Sequence, residues 1–279
     1  MPDVLQIKIK YFLVFGKKIN LRHPQTFNEK IQWLKLYDRK LEYTNMVDKY
    51  EAKRYVASII GEKHIIPTLG VWDNFDDIDF DDTLPEQFVL KATHFSGGVY
   101  ICKDRESFDI KKIKKDMNKI LKHNFYWSGR ESPYKNIKPR IIAEKYMVDE
   151  SGVELKDYKI QCFNGDPKII QVDFDRFSEC HKRNFYSIDW LYQPFSLSYP
   201  TYPEIMIEKP ESLDLMLALA KELSRDILYV RVDFYSIRKK IYFGELTFYH
   251  GSGYEKFDPS EWNSVFGNWL VLPPPPPPV

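Results

Sequence analysis

Two short runs, Val230-Arg231-Val232-Asp233-Phe234 and Ile241-Tyr242-Phe243-Gly244-Glu245-Leu246-Thr247, constrain this chain more than any other stretch. Their β-branched and aromatic residues, separated by the polar, basic residues 236–240, predict two antiparallel strands. Charged residues interrupt each apolar stripe. Strand side chains repeat every second residue, so Arg231 shares a face with Asp233, and Glu245 with Thr247. If the faces align, two carboxylates and a guanidinium converge. That group suits Mg²⁺ bridging nucleotide phosphates, with the arginine countering charge on a reacting carbonyl or phosphoryl group. A cross-strand salt bridge on a solvated face accounts for the same residues.

A chain of 279 residues with 16% aromatic content has enough apolar material for two or three subdomains around sizeable cores. Its 41 basic and 40 acidic residues nearly cancel, which removes any global electrostatic case for a nucleic-acid partner. Cys102, Cys162 and Cys180 are widely spaced and odd in number, the pattern of free thiols in a reducing compartment. No apolar run of about 18 residues and no signal-peptide pattern occur, so no membrane span and a cytoplasmic location are expected. The six histidines lack metal spacing and read as structural.

Residues 6–15 alternate apolar and basic positions too briefly to assign. Thr26 or Asn28 caps a helix reaching Tyr37, with Phe27, Ile31, Leu34 and Trp33 as its apolar stripe. A second helix is expected over 44–60, ended by Gly61, and the charges of residues 47–53 read as its solvated face. Residues 64–72 suggest a short strand, and 73–82 an acidic surface loop. The run Phe88-Val89-Leu90-Lys91-Ala92, then Thr93-His94-Phe95-Ser96-Gly97-Gly98 and Val99-Tyr100-Ile101, predicts a strand carrying a lysine, a glycine loop and a second strand. Glycines let backbone amides approach an anion while the lysine supplies a point charge. Such turns between strands are also common without function, and the spacing is not that of a Walker A loop.

Residues 109–123 predict an amphipathic helix with lysines outward, and the loop 125–139 places Arg130, Lys135 and Lys138 among aromatics, a mixture suited to an acidic or sugar ligand. Strands are expected at 140–147, 157–163 and 168–173, the last two joined through Asn164-Gly165, a strong hairpin signal. Pro210 introduces a helix over 211–225, and Ser260 caps a last helix ending near Leu270. Residues 273–278 are polyproline and stand outside the fold.

Taken in order, Asp48-Lys49, Val89-Leu90-Lys91 before the glycine loop, Ala143-Glu144-Lys145-Tyr146, Arg231-x-Asp233 and Glu245-x-Thr247 resemble the ATP-grasp series of D-alanine:D-alanine ligases. They are most similar to the TupA-like branch, whose genes lie among those for bacterial capsule and teichuronopeptide synthesis. Phe27-Asn28-Glu29-Lys30, Asp157-Tyr158-Lys159 and Gly244-Glu245-Leu246-Thr247 extend the likeness to residues 21–272. The resemblance implies an α+β fold, antiparallel sheets with helices in two subdomains around an ATP cleft. Its divisions would be a helical region at 1–60, a smaller subdomain with the glycine loop at 61–140, a larger one with the metal site at 141–272, and the tail at 273–279.

By the same resemblance Lys49, Lys91 and Lys159 would hold ATP phosphates, and Gly97 and Gly98 would cover them. Glu144, Lys145, Tyr146 and Met147 would face adenine and ribose, Asp233, Glu245 and Thr247 would stand at the Mg²⁺ position, and Arg231 would stabilise the transferring group. Thr247 occupies a place where most ATP-grasp enzymes have asparagine, which leaves one or two metals open. The implied reaction is ATP-dependent ligation of a carboxylate, expected to be a uronic-acid sugar or polysaccharide, to an amine through an acyl phosphate. A glycosyltransferase of surface polysaccharide synthesis and a non-catalytic nucleotide-binding assembly protein are the other readings.

Overall fold

The computed structural model describes residues 1–150, 152, 155–174, 182–205 and 207–274, so the expectations for Cys180 and for Pro275 to Pro278 lie outside the described residues. The chain forms two compact units, Lys40–Val148 and the combination of Met1–Arg39 with Asp149–Val279. These limits differ from divisions at 60 and 140. Strand pairing draws residues 141–145 into the Lys40–Val148 unit, and ring packing ties the helix after Thr26 to the C-terminal part of the chain.

The discontinuous unit begins with α1 (Asp3–Phe15) and α2 (Phe27–Tyr37). Residues 6–15 are therefore helical; the brief alternation hid apolar residues on two opposite sides of one helix. Thr26 starts α2 with a full capping box, accepting from the Glu29 amide while Glu29 receives the Thr26 amide.

Within Lys40–Val148 lie α3 (Tyr43–Val47), α4 (Glu51–Ile60), β1 (Thr68–Trp72), β2 (Phe88–Ala92), β3 (Val99–Cys102), α5 (Ile110–Leu121), α6 (Tyr126–Gly129) and β4 (Ile141–Lys145). The single helix expected over 44–60 is broken at 48–50. Asp48 is extended there, and its Oδ1 accepts from the amides of Tyr50 (2.8 Å) and Glu51 (3.2 Å), so a residue read as surface charge restarts the helix as a cap. The antiparallel sheet runs β1-β4-β2-β3. Phe88, Leu90, Ala92, Ile141 and Ala143 point to one side, onto Ile113 and Met117 of α5. Lys91 and Glu144 take the opposite face because the strand period is two.

The discontinuous unit continues with β5 (Asp157–Phe163), β6 (Asp166–Phe174), β7 (Lys182–Ser187), β8 (Tyr192–Gln193), β9 (Ser196–Leu197), α7 (Leu213–Leu223), β10 (Tyr229–Ile237), β11 (Lys240–Thr247), β12 (Phe257–Asp258) and α8 (Trp262–Trp269). Its main sheet is antiparallel in the order β11-β10-β5-β6-β7-β8. Asn164 (φ 50°) and Gly165 (φ 84°) make the β5–β6 turn with both central residues left-handed, as a two-residue hairpin requires. Val230, Val232, Ile160, Cys162, Ile170 and Val172 form a buried apolar face, which α7 packs against. On the other face Phe27 of α2 meets Tyr229, Phe163 and Phe266 at ring distances of 5.1–6.0 Å, and the charged residues begin beyond this aromatic end. Cys102 and Cys162 are buried free thiols.

Candidate functional site

In the Lys40–Val148 unit, three charges meet on the sheet face opposite α5. Glu144 on β4 holds Lys53 Nζ at 2.5 Å from Oε1 and Lys91 Nζ at 2.5 Å from Oε2. Lys53 also donates to the Ile66 carbonyl at 2.6 Å. Burial alone raises the Glu144 carboxyl, but Lys91 and Lys53 outweigh it and bring the group down to about 2. Burial lowers the pKa of Lys53, with Glu144 opposing that shift. Glu144 therefore fixes the Lys91 ammonium from beneath. Lys145 is exposed beyond it, with Tyr146 and Met147 half-buried.

The break before α4 puts Lys49 against the glycine loop. Its amide donates to Thr93 O (3.0 Å) and its Nζ to Phe95 O (2.7 Å). Arg140 braces the break by donating from Nη2 to Asp48 Oδ2 (3.1 Å) and Glu51 Oε1 (3.0 Å). Gly97 (φ 94°) and Gly98 (φ 62°) are both left-handed, and a Cβ on Gly98 would meet Ile120 Cδ1 at 2.8 Å. Lys49, Lys91 and the two glycines thus lie in one unit, with Lys49 bonded to the loop itself. Lys53 belongs with them, although its helical spacing read as a solvated face.

Replacing Glu144 by glutamine strands two ammonium groups. The parent is expected to exceed Glu144→Gln in stability by ~3–5 kcal/mol near neutral pH, the cost of breaking a buried pair. The folded pKa lies below the unfolded value, so this advantage is present above about 4.5 and fades as pH falls towards about 2. Denaturant titrations of both proteins across that window check it; a constant difference down to pH 2 would remove the ionic account.

In the discontinuous unit, the register opposes Arg231 to Thr247 and Asp233 to Glu245, so the four side chains share one face as expected. Gly244 makes this possible through a bulge: a Cβ there would stand 3.1 Å from Asp233 O and 3.2 Å from the Tyr235 ring. Arg231 donates from Nε to Asp233 Oδ1 (2.7 Å), from Nη2 to Asp233 Oδ2 (2.6 Å) and from Nη2 to Glu245 Oε1 (2.8 Å). Thr247 Oγ1 donates to Glu245 Oε1 at 3.4 Å.

Two carboxylates flank one guanidinium, Asp233 buried and Glu245 partly exposed. Burial lifts Asp233 to about 7, with Glu245 adding to the rise and Arg231 opposing it; burial works against the Arg231 charge, but the two carboxylates hold it firmly protonated. The solvated-face account therefore fails for Arg231 and Asp233, which are 9% and 3% exposed.

Behind the fork stands a residue that spacing did not identify. Arg231 Nη1 lies 3.1 Å from His250 Nδ1. A guanidinium only donates, so Nδ1 accepts and the ring proton resides on Nε2, 2.9 Å from Glu255 Oε2. Burial lowers the His250 pKa, consistent with this neutral tautomer. Its position after β11 depends on the 3-10 turn His250–Gly253, which has no period to read.

The ionic set extends across the sheet. Lys159, opposite Asp233, bonds Asp157 (3.2 Å) and makes a short contact to Asp173. Arg183 Nε donates to Asp173 Oδ1 at 2.8 Å, and its Nη1 to Leu197 O at 2.9 Å. Burial would raise Asp173, but Lys159 and Arg183 hold it well below the carboxylate range. Lys159, expected to reach a triphosphate, is 3% exposed and engaged by two carboxylates, which makes it a brace for this face. Arg130, likewise read as a ligand clamp, is buried over Trp127, 4.5 Å from its ring centre.

The model of the TupA-like ATPgrasp family matches residues 29–271. The chain belongs to the TupA-like ATP-grasp family. The matched stretch contains every residue of both clusters, and the α+β architecture of antiparallel sheets and helices is the one expected for an ATP-grasp fold. No curated protein matches this TupA-like chain.

Among solved structures it is similar to the D-alanine–D-alanine ligase of Bacillus anthracis complexed with ATP (17% identity, 72% of this chain and 53% of that one, TM-score 0.41). It is also similar to the Helicobacter pylori D-alanine–D-alanine ligase (14%, 83% and 60%, TM-score 0.46). A third likeness is to the ATP-grasp ligase PsnB complexed with a minimal precursor, Mg and ADP (9%, 88% and 66%, TM-score 0.42). The TupA-like chain spans about half the length of the Bacillus anthracis ligase.

Proposed function

We propose that this protein is an ATP-dependent carboxylate–amine ligase. A substrate carboxylate oxygen attacks the γ-phosphorus of ATP, the bond to the bridging oxygen breaks, and ADP leaves with the electron pair. An amine then attacks the acyl carbon, phosphate leaves, and the nitrogen loses a proton to give the amide. The observation that carries this reading is the buried Arg231 fork between Asp233 and Glu245 on adjacent strands, within the family-matched stretch.

Lys91, held by Glu144, and Lys49, held on the Phe95 carbonyl, are assigned to the nucleotide phosphates, with amides of the Gly97-Gly98 loop beside them. Lys145, Tyr146 and Met147 are assigned to adenine and ribose, with the Glu144 carboxylate supporting Lys91. Arg231 is assigned to the developing charge on the transferring phosphoryl group and later on the carbonyl oxygen. Lys159 acts through the braced face.

Asp233, Glu245 and the Thr247 hydroxyl offer hard oxygens with an excess of negative charge, which fits Mg²⁺. Bound there, Mg²⁺ supplies charge neutralisation for phosphoryl transfer. Among the described residues no group of three or more His, Cys, Asp or Glu that could hold a metal ion is found. Sharing the ion with phosphate oxygens and water is how Mg²⁺ is usually held.

The carboxylate is assigned to a uronic-acid sugar or polysaccharide of the bacterial surface, and the reaction to the cytoplasm, where ATP is available. Among the described residues no helix is long and apolar enough to cross a membrane. With ATP, Mg²⁺ and a uronic-acid-bearing glycan, added hydroxylamine is expected to give a hydroxamate and stoichiometric ADP. Glycosyl transfer from a sugar nucleotide without ATP consumption would replace this reading with the glycosyltransferase one.

A further inference from the structure

Helix α1 is apolar on two opposite sides. Ile7 and Tyr11 are fully buried and fasten it to its unit. Leu5, Ile9, Phe12 and Leu13 recur at i, i+4, i+7 and i+8, forming an outward stripe that is 49%, 45%, 52% and 76% exposed. Four large apolar side chains in one exposed row exceed the scattered exposure normal for a protein surface.

The charges next to the row along the chain are mostly basic. Residues 1–28 contain five basic side chains (Lys8, Lys10, Lys17, Lys18, Arg22) and one acidic one (Asp3), a net +4. Asp3 is taken by Arg39 at 2.7 Å, and Lys10 lies over the Tyr254 ring at 4.5 Å. Lys8, Lys17, Lys18 and Arg22 are exposed, the last three just past the Gly16 cap.

We propose that α1 docks this protein onto an anionic phospholipid surface, its outer stripe entering the interface and the basic residues meeting headgroup phosphates. A helix with an apolar face and a lysine-rich margin lies in the plane of such an interface. Each basic residue near an anionic leaflet adds attraction that salt screens. Self-pairing through the stripe is disfavoured on the same grounds. It would bring two sets of lysines together, and a helix of 13 residues, about 20 Å long, offers far less area than the ~1,200–2,000 Å² of a stable interface.

The test is co-sedimentation of the full chain with phosphatidylcholine vesicles, with and without phosphatidylglycerol. The protein is expected to bind only the phosphatidylglycerol vesicles, and less as salt rises. The triple variant Leu5→Gln/Phe12→Gln/Leu13→Gln should bind them roughly tenfold or more weakly, with an unchanged thermal midpoint because the substituted side chains are exposed. Lys17→Glu/Lys18→Glu should weaken binding comparably. Absence of binding by the parent, or undiminished binding by the triple variant, would overturn the proposal. A parent dimer in light scattering that the triple variant abolishes would overturn it too, and would give the stripe to a second copy.

Discussion

Replacing Arg231 by alanine is expected to cut hydroxamate yield about a hundredfold or more, the scale of losing one donor at a developing oxyanion. Arg231 is 9% exposed, and its guanidinium binds both oxygens of Asp233, one of Glu245 and the His250 ring. Its removal leaves Asp233 buried beside a second carboxylate, so a stability loss of ~3–5 kcal/mol is expected as well. Arg231→Lys separates the two effects. It returns a positive charge but not the planar fork, so it should recover much of the stability and little of the activity. If turnover per folded molecule in Arg231→Ala equals that of the parent, or if lysine restores activity fully, the assigned role is wrong.

Asp233→Asn and Glu245→Gln are each expected to abolish turnover, by removing negative charge where a divalent cation would sit. Their thermal midpoints should diverge. Asp233 is 3% exposed and accepts both arms of Arg231; asparagine turns an amide NH₂ towards the guanidinium but relieves a charge that burial disfavours, so the midpoint should fall by only about 3–6 °C. The Glu245 side chain is 42% exposed, and glutamine there should leave the midpoint close to that of the parent. Calorimetric scans alongside ADP release decide the matter; near-normal ADP release by either variant would remove the carboxylates from the metal position.

What local periodicity governs was legible before any tertiary contact. The alternation along β10 and β11 puts Arg231 with Asp233, and Glu245 with Thr247, on a common face of each strand because a strand has period two; the register set by the Gly244 bulge is what brings the two pairs together. Asn164-Gly165 demands its hairpin, Thr26 and Glu29 cap α2, and paired glycines permit the left-handed turn after Lys91. These are short-range consequences of backbone sterics and hydrogen bonding.

The electrostatics were decided by the tertiary structure alone. Asp48 and Lys53 have the spacing of a solvated helix face, yet one breaks the helix as a cap and the other is buried against Glu144 from a distant strand. Lys159 looks like a phosphate cation until Asp157 and Asp173 are placed beside it, and His250 means nothing by spacing until a 3-10 turn carries it to Arg231. Sequence determines which residues can share a face. Which charges lose their water, and therefore which partners they must have, depends on what packs over that face, and only the folded chain supplies that.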